Sequence, residues 1–204
     1  VAYGEELTPE RLAMIDGAEQ WLRARCLATV RVRYLLANGA PVEKDYDVAA
    51  KSRANIWVNF EEINGVSLAN RELSAVLTTS ASTPIIVERA MYLDAPGQAF
   101  NAGHESAGVN QPATNWFLAE GATGSFMDMF ILVANPNPAP AHLTVQYLLT
   151  TGAPITRTYT ADPNSRFNIW VDLEPGLEDV AVSTVIASDV PVIVERALWW
   201  PGTF

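Results

Sequence analysis

From residue 116 onward the chain reads as short apolar runs separated by turn-forming residues, a pattern of strands rather than helices. Strands are expected over residues 116–119, 127–134, 142–150, 155–161, 166–172, 180–188 and 192–199. Between them lie Asn135-Pro136-Asn137-Pro138, Thr151-Gly152, Asp162-Pro163-Asn164 and Asp189-Val190-Pro191. Proline fixes φ and lacks an N–H, glycine accepts positive φ, and Asn or Asp can bond its own backbone, so each stretch can reverse the chain. Period two then decides which side chains share a face. With Phe167, Ile169 and Val171 inward, Arg166, Asn168 and Trp170 stand together on the opposite side.

The same pattern occurs twice. Tyr34-Leu35-Leu36 aligns with Tyr147-Leu148-Leu149 at an offset of 113 residues, and the match continues without a gap. Gly39-Ala40-Pro41 meets Gly152-Ala153-Pro154, Tyr46 meets Tyr159, and Ser52-Arg53 with Asn55-Ile56-Trp57-Val58 meets Ser165-Arg166 with Asn168-Ile169-Trp170-Val171. Further on, Pro84-Ile85-Ile86-Val87-Glu88-Arg89-Ala90 matches Pro191-Val192-Ile193-Val194-Glu195-Arg196-Ala197 at an offset of 107. The first copy therefore carries six extra residues, the difference between the offsets, within the polar stretch 61–71. That stretch contains Asn64-Gly65 and reads as a loop, where insertions cost little.

Seven short strands in about 85 residues predict an all-β fold of two tandem immunoglobulin-like antiparallel β-sandwich modules, with a small barrel as the alternative. The modules are expected over residues 1–96 and 116–204, with 97–115, rich in Gly, Ala, Asn and Pro, as a connector. One segment conflicts with the repeat. Thr8-Pro9-Glu10 followed by Leu12, Ile15, Trp21, Leu22 and Cys26 has the cap and periodicity of a short helix over 9–24. At the offset of 113, however, this stretch faces the first two strands of the second copy, so helix and strands stand as alternatives.

Composition narrows the function classes. Forty-nine per cent hydrophobic residues supply packed cores, while a net charge of -10 with no clustered Lys and Arg argues against a nucleic-acid surface. No apolar run reaches the roughly 20 residues of a membrane span. The N-terminal residues also lack the basic and apolar regions of a signal peptide. The lone Cys26 has no partner for a disulfide or a zinc motif.

Only His104 and His142 could serve a nucleophilic triad, and neither sits in a motif. No phosphate loop, nucleophile elbow or dinucleotide glycine pattern occurs, so no enzyme and no cofactor are expected. His104-Glu105, with Asn101 nearby, is a weak metal candidate that a polar connector explains equally well. Glu88-Arg89 and Glu195-Arg196 recur at one strand position, so one charge of each pair must approach a largely apolar face. The expected reading is a hydrogen-bonded ion pair near a strand end that fixes the sheet register. The stripe Arg53, Asn55 and Trp57, with its counterpart Arg166, Asn168 and Trp170, is the best binding candidate. A Trp beside Arg and Asn suits stacking on a sugar ring or anchoring a protein contact, unless a loop or neighbouring module covers it.

The run Trp116-Phe117-Leu118-Ala119-Glu120-Gly121-Ala122-Thr123-Gly124, followed by Phe130-Ile131-Leu132-Val133-Ala134-Asn135-Pro136, resembles repetitive modules of large exported bacterial surface proteins. The resemblance extends to Val87-Glu88-Arg89-Ala90-Met91-Tyr92 and to Gly103-His104-Glu105-Ser106-Ala107-Gly108-Val109, and covers most of residues 27–204. It implies tandem immunoglobulin-like organisation, extracellular or at the cell surface, and brings no catalytic residues. Residues 4–26 depart from it, where a second Ala-Glu-Gly start and Asn-Pro turn are expected. Trp200-Pro201-Gly202-Thr203-Phe204 stands where a further connector would begin, as in a longer array. The expected function is a structural or interaction repeat that associates with itself or with neighbouring repeats, building a fibre or surface array. The alternative is a carbohydrate-binding or adhesive module that uses the Arg-Asn-Trp stripe.

Overall fold

A computed structural model of the chain describes residues 27–80, 83–93, 102–125 and 127–199. The stretch 9–24, where helix and strands compete, lies outside them. Among the described residues the regular structure is almost entirely antiparallel β, with two short 3-10 turns, Val58–Phe60 and Val171–Leu173, and no α-helix. No helix among them is long and apolar enough to cross a membrane.

The first strands are β1 (Leu27–Leu36), β2 (Val42–Ala49), β3 (Glu62–Ile63), β4 (Val66–Ser67) and β5 (Leu73–Thr79). They form a three-stranded sheet of order β2-β1-β5 and a separate β3-β4 pair. The six-residue insertion, expected as a loop, contains this minimal hairpin. Asn64 and Gly65 take φ of 52° and 78° at its tip, the left-handed pair that a two-residue hairpin turn requires.

β6 (Glu88–Leu93) pairs with β7 (Ala102–Ala107), so part of the stretch 97–115 is strand. The remaining strands are β8 (Ala113–Leu118), β9 (Asp128–Asn135), β10 (Ala141–Leu149), β11 (Ile155–Ala161), β12 (Ser165–Trp170) and β13 (Val182–Trp199). Their order is β11-β10-β13-β9-β12, with β8 also on β13.

Two expected strands, 180–188 and 192–199, are a single strand of 18 residues. The turn expected at Asp189-Val190-Pro191 is continuous strand instead. The first half of β13 pairs with β10 and β8, the second half pairs with β9, and the β8 register shifts between Ala187 and Val192. Pro191 has no N–H to give a ladder, so the strand can exchange partners there without ending. At this register shift Asp189 accepts the His142 amide at 2.8 Å.

Strand alternation fills the interior. β10 buries Ala141, Leu143, Val145 and Tyr147 and exposes the residues between them. These meet Met129, Ile131 and Val133 of β9, Ile169 of β12, and Ile186, Val192 and Val194 of β13 in one apolar cluster. By contact density the chain divides into two compact units. One takes Val1–Val32, Glu43–Ala69 and Leu77–Ile85, and the other takes Arg33–Val42, Asn70–Val76 and Ile86–Phe204.

The sequence repeat has a backbone counterpart. Gly39 and Gly152 take φ of 96° and 91°, and Lys51 and Asn164 take 54° and 52°. Trp57 and Trp170 each precede a 3-10 turn with nearly the same extended backbone, and the amides of Glu61 and Glu174 each close that turn at 3.0 Å.

Candidate functional site

In the second copy the stripe lies on β12, where period two works as the sequence predicts. Ile169 is buried and Phe167 packs against the core, while Trp170 is exposed and Arg166 and Asn168 are half-buried. The Arg166 Nε donates to the Asn168 Oδ1 at 2.8 Å. This bond orients both side chains, leaving guanidinium and amide N–H groups directed outward.

Those groups hold a peptide segment at the start of β5. Arg166 Nη1 donates to the Leu73 carbonyl at 2.9 Å, and Asn168 Nδ2 donates to Glu72 Oε2 at 2.8 Å. β5 is the edge of its sheet, and successive carbonyls of a strand point to opposite sides. The Glu72 carbonyl accepts the Ala37 amide of the neighbouring chain segment. Leu73 therefore presents its carbonyl outward, where Arg166 caps it. All these residues belong to the second compact unit. Burial lowers the Arg166 pKa, and the nearby Glu72 carboxylate opposes that shift.

The Glu-Arg pairs lie close by and pair crosswise. Arg89 Nη1 meets Glu195 Oε2 at 2.8 Å, and the Ser106 hydroxyl donates to Glu195 Oε1 at 3.3 Å. Glu88 is exposed, and Arg196 donates to the Glu120 carbonyl. Adjacent strand residues face opposite sides, so Glu88 and Arg89 cannot share one site. The two copies instead supply one charge each.

The first-copy stripe repeats the internal bond but not its occupancy. Arg53 Nε donates to Asn55 Oδ1 at 3.2 Å, and both residues are exposed. Trp57 is 68% exposed and stacks at a tilt on Phe60, itself 76% exposed, with ring centroids 4.6 Å apart. Trp170, 43% exposed, leans on Phe130 at 5.3 Å.

A second contact that the sequence analysis does not predict also repeats in both copies. Lys44 bonds Glu61 at 2.5 Å and Arg157 bonds Glu174 at 3.3 Å, and both partners are related by the offset of 113. Comparing charge signs along the aligned copies would have found it. Beside Glu174, the hydroxyls of Tyr147 and Tyr159 lie 3.0 Å apart. Burial pushes Tyr147 up to about 12 and raises Tyr159 further. Buried Asn135 donates to the carbonyls of Ala139, Ala161 and Asp162 and accepts from Asn137, fixing the Asn-Pro turn.

His142 is exposed on β10, its Nδ1 3.2 Å from the Thr160 hydroxyl, at an open depression of about 280 Å³. The backbone of His104 lies on β7 beside exposed Glu105, and its side chain is outside what the structure describes. Among the described residues no group of three His, Cys, Asp or Glu could hold a metal ion.

No family model and no curated protein matches the chain. Among solved structures, a chain described as Anabaena sensory rhodopsin transducer is similar at 20% identity and a TM-score of 0.38. The likeness covers 44% of this chain and 92% of that one.

Proposed function

We propose that the chain is two tandem immunoglobulin-like β-sandwich modules with a structural and interaction role and no catalytic one, acting outside the cell or at the cell surface. The observation that carries this reading is the grip of Arg166 and Asn168 on Leu73 and Glu72. The most distinctive polar residues of the repeat are spent on protein backbone and a protein carboxylate. The recurrence of the same Arg-Asn bond in the first copy supports a device belonging to each module. The shared core beneath β9, β10, β12 and β13 supports the sandwich, and the resemblance of the Trp116–Gly124 run to exported repeats supports the location. Light scattering from low to high micromolar concentration tests the role. Mass rising with concentration is expected, and a strictly monomeric protein across that range would contradict it.

A second reading rests on the exposed Trp57–Phe60 pair, which is suited to stacking on a sugar ring. A glycan array probed with the protein and with Trp57→Ala distinguishes the two. Retention on a defined glycan that disappears in the variant would favour the carbohydrate-binding module.

A further inference from the structure

We infer that the open Arg53-Asn55 stripe of the first copy is a docking site for the acidic turn around Asp179 of a second copy of this chain, giving head-to-tail association. The inference rests on the reading of the modules as interaction units and names their partner.

Three observations converge on it. The second-copy stripe, built with the same Arg Nε to Asn Oδ1 bond, already binds a carboxylate and a carbonyl, those of Glu72 and Leu73. In the first copy Arg53 and Asn55 are exposed, and the Arg53 Nη atoms and the Asn55 Nδ2 meet no partner among the described residues. Donors orientated by the same bond are thus available for the same kind of acceptor.

The acceptor follows from the repeat. At the offset of 107 that aligns the ends of the two copies, Glu72 falls on Asp179, an exposed residue in the turn before β13. Val180, which aligns with Leu73, already gives its carbonyl to the Thr123 amide at 3.0 Å. The contact carried over is therefore that of the carboxylate, which two oxygens allow to accept from both Arg53 and Asn55.

Charge points the same way. Residues 48–60 contain Lys51 and Arg53 and no acid, whereas residues 172–179 contain Asp172, Glu174, Glu178 and Asp179 and no base. In a chain of net charge -10, two copies repel on average, so a local match of this kind selects one mutual orientation. Because the two surfaces differ, a pair of copies keeps one free stripe and one free acidic turn, on different copies. The contact is heterologous and can propagate.

Sedimentation velocity of four samples tests this: the wild type, Arg53→Glu, Asp179→Asn, and an equimolar mixture of the two variants. Both substituted residues are exposed, and circular dichroism verifies that the variants fold. The wild type should grow with concentration and weaken with salt, and each variant alone should associate at least about tenfold more weakly. The mixture should stop at a dimer, because Arg53→Glu still offers the acidic turn and Asp179→Asn still offers the stripe. Wild-type growth left unchanged in Arg53→Glu, or a mixture that stays monomeric while the wild type grows, would overturn the site and leave the interaction reading standing. A wild type monomeric throughout would overturn both.

Discussion

Replacing Arg166 and replacing Arg53, the same residue of the repeat, should have very different consequences. Arg166→Ala removes a bond to the Leu73 carbonyl at 2.9 Å and one to Asn168 at 2.8 Å. Hydrogen bonds to a charged donor contribute about 1.5–3 kcal/mol each where solvent is largely excluded. Arg166 is half-buried, so part of this is screened, and a loss of about 2–3 kcal/mol in total is expected. Arg53→Ala removes one bond of 3.2 Å between exposed side chains and should fall within about 0.5 kcal/mol of wild type. Urea unfolding followed by far-ultraviolet circular dichroism separates the two. With a slope of roughly 2 kcal/mol/M, the Arg166→Ala midpoint drops by about 1–1.5 M. Arg166→Lys should recover only part of the loss, since a lysine keeps the charge but cannot reach Leu73 and Asn168 with one planar group. Equal small shifts for the Arg53 and Arg166 variants would refute the reasoning, because the difference between an occupied and an open stripe would then carry no energy.

Other consequences are more local. Gly121→Ala places a Cβ 2.5 Å from the Met129 sulfur and 2.9 Å from the Val182 carbonyl, so the backbone must move, and thermal unfolding should show a loss of about 1–3 kcal/mol. Asn135→Ala strands three carbonyls at a buried turn and should cost about 3 kcal/mol by urea titration, whereas a loss under about 1 kcal/mol would mean water replaces the amide. Tyr147 is held at about 12 against an ordinary value of 10, so the folded state keeps a proton that the unfolded chain loses first. That stability is complete below pH 10 and disappears as the pH rises through 12, and Tyr147→Phe should flatten the decline in the urea midpoint over this window.

How much of this the sequence discloses depends on the range of each interaction. The inward set Phe167, Ile169 and Val171 was legible because a strand's alternation is local, and with it the grouping of Arg166, Asn168 and Trp170. What those side chains touch was not legible, since Glu72 lies 96 residues from Asn168 in the chain and only strand placement brings them together. The Glu-Arg pairs show the same limit. Recurrence marked Arg89 and Glu195 as important, but their crosswise pairing depends on where β6 and β13 lie. β13 fails for another reason. Asp189-Val190-Pro191 carries the residues of a turn, yet partners on both sides keep the strand extended through the proline. The paired charges Lys44–Glu61 and Arg157–Glu174 were available to a comparison of the two copies, because both are displaced by the same offset of 113.

The most direct measurement is hydrogen exchange, read by mass spectrometry, of the segment containing Glu72 and Leu73. If the second-copy stripe clamps this edge strand, residues 70–76 should exchange markedly faster in Arg166→Ala and at the wild-type rate in Arg53→Ala. Exchange of that segment unchanged in Arg166→Ala would contradict the clamp, and with it the interaction role proposed for the repeat.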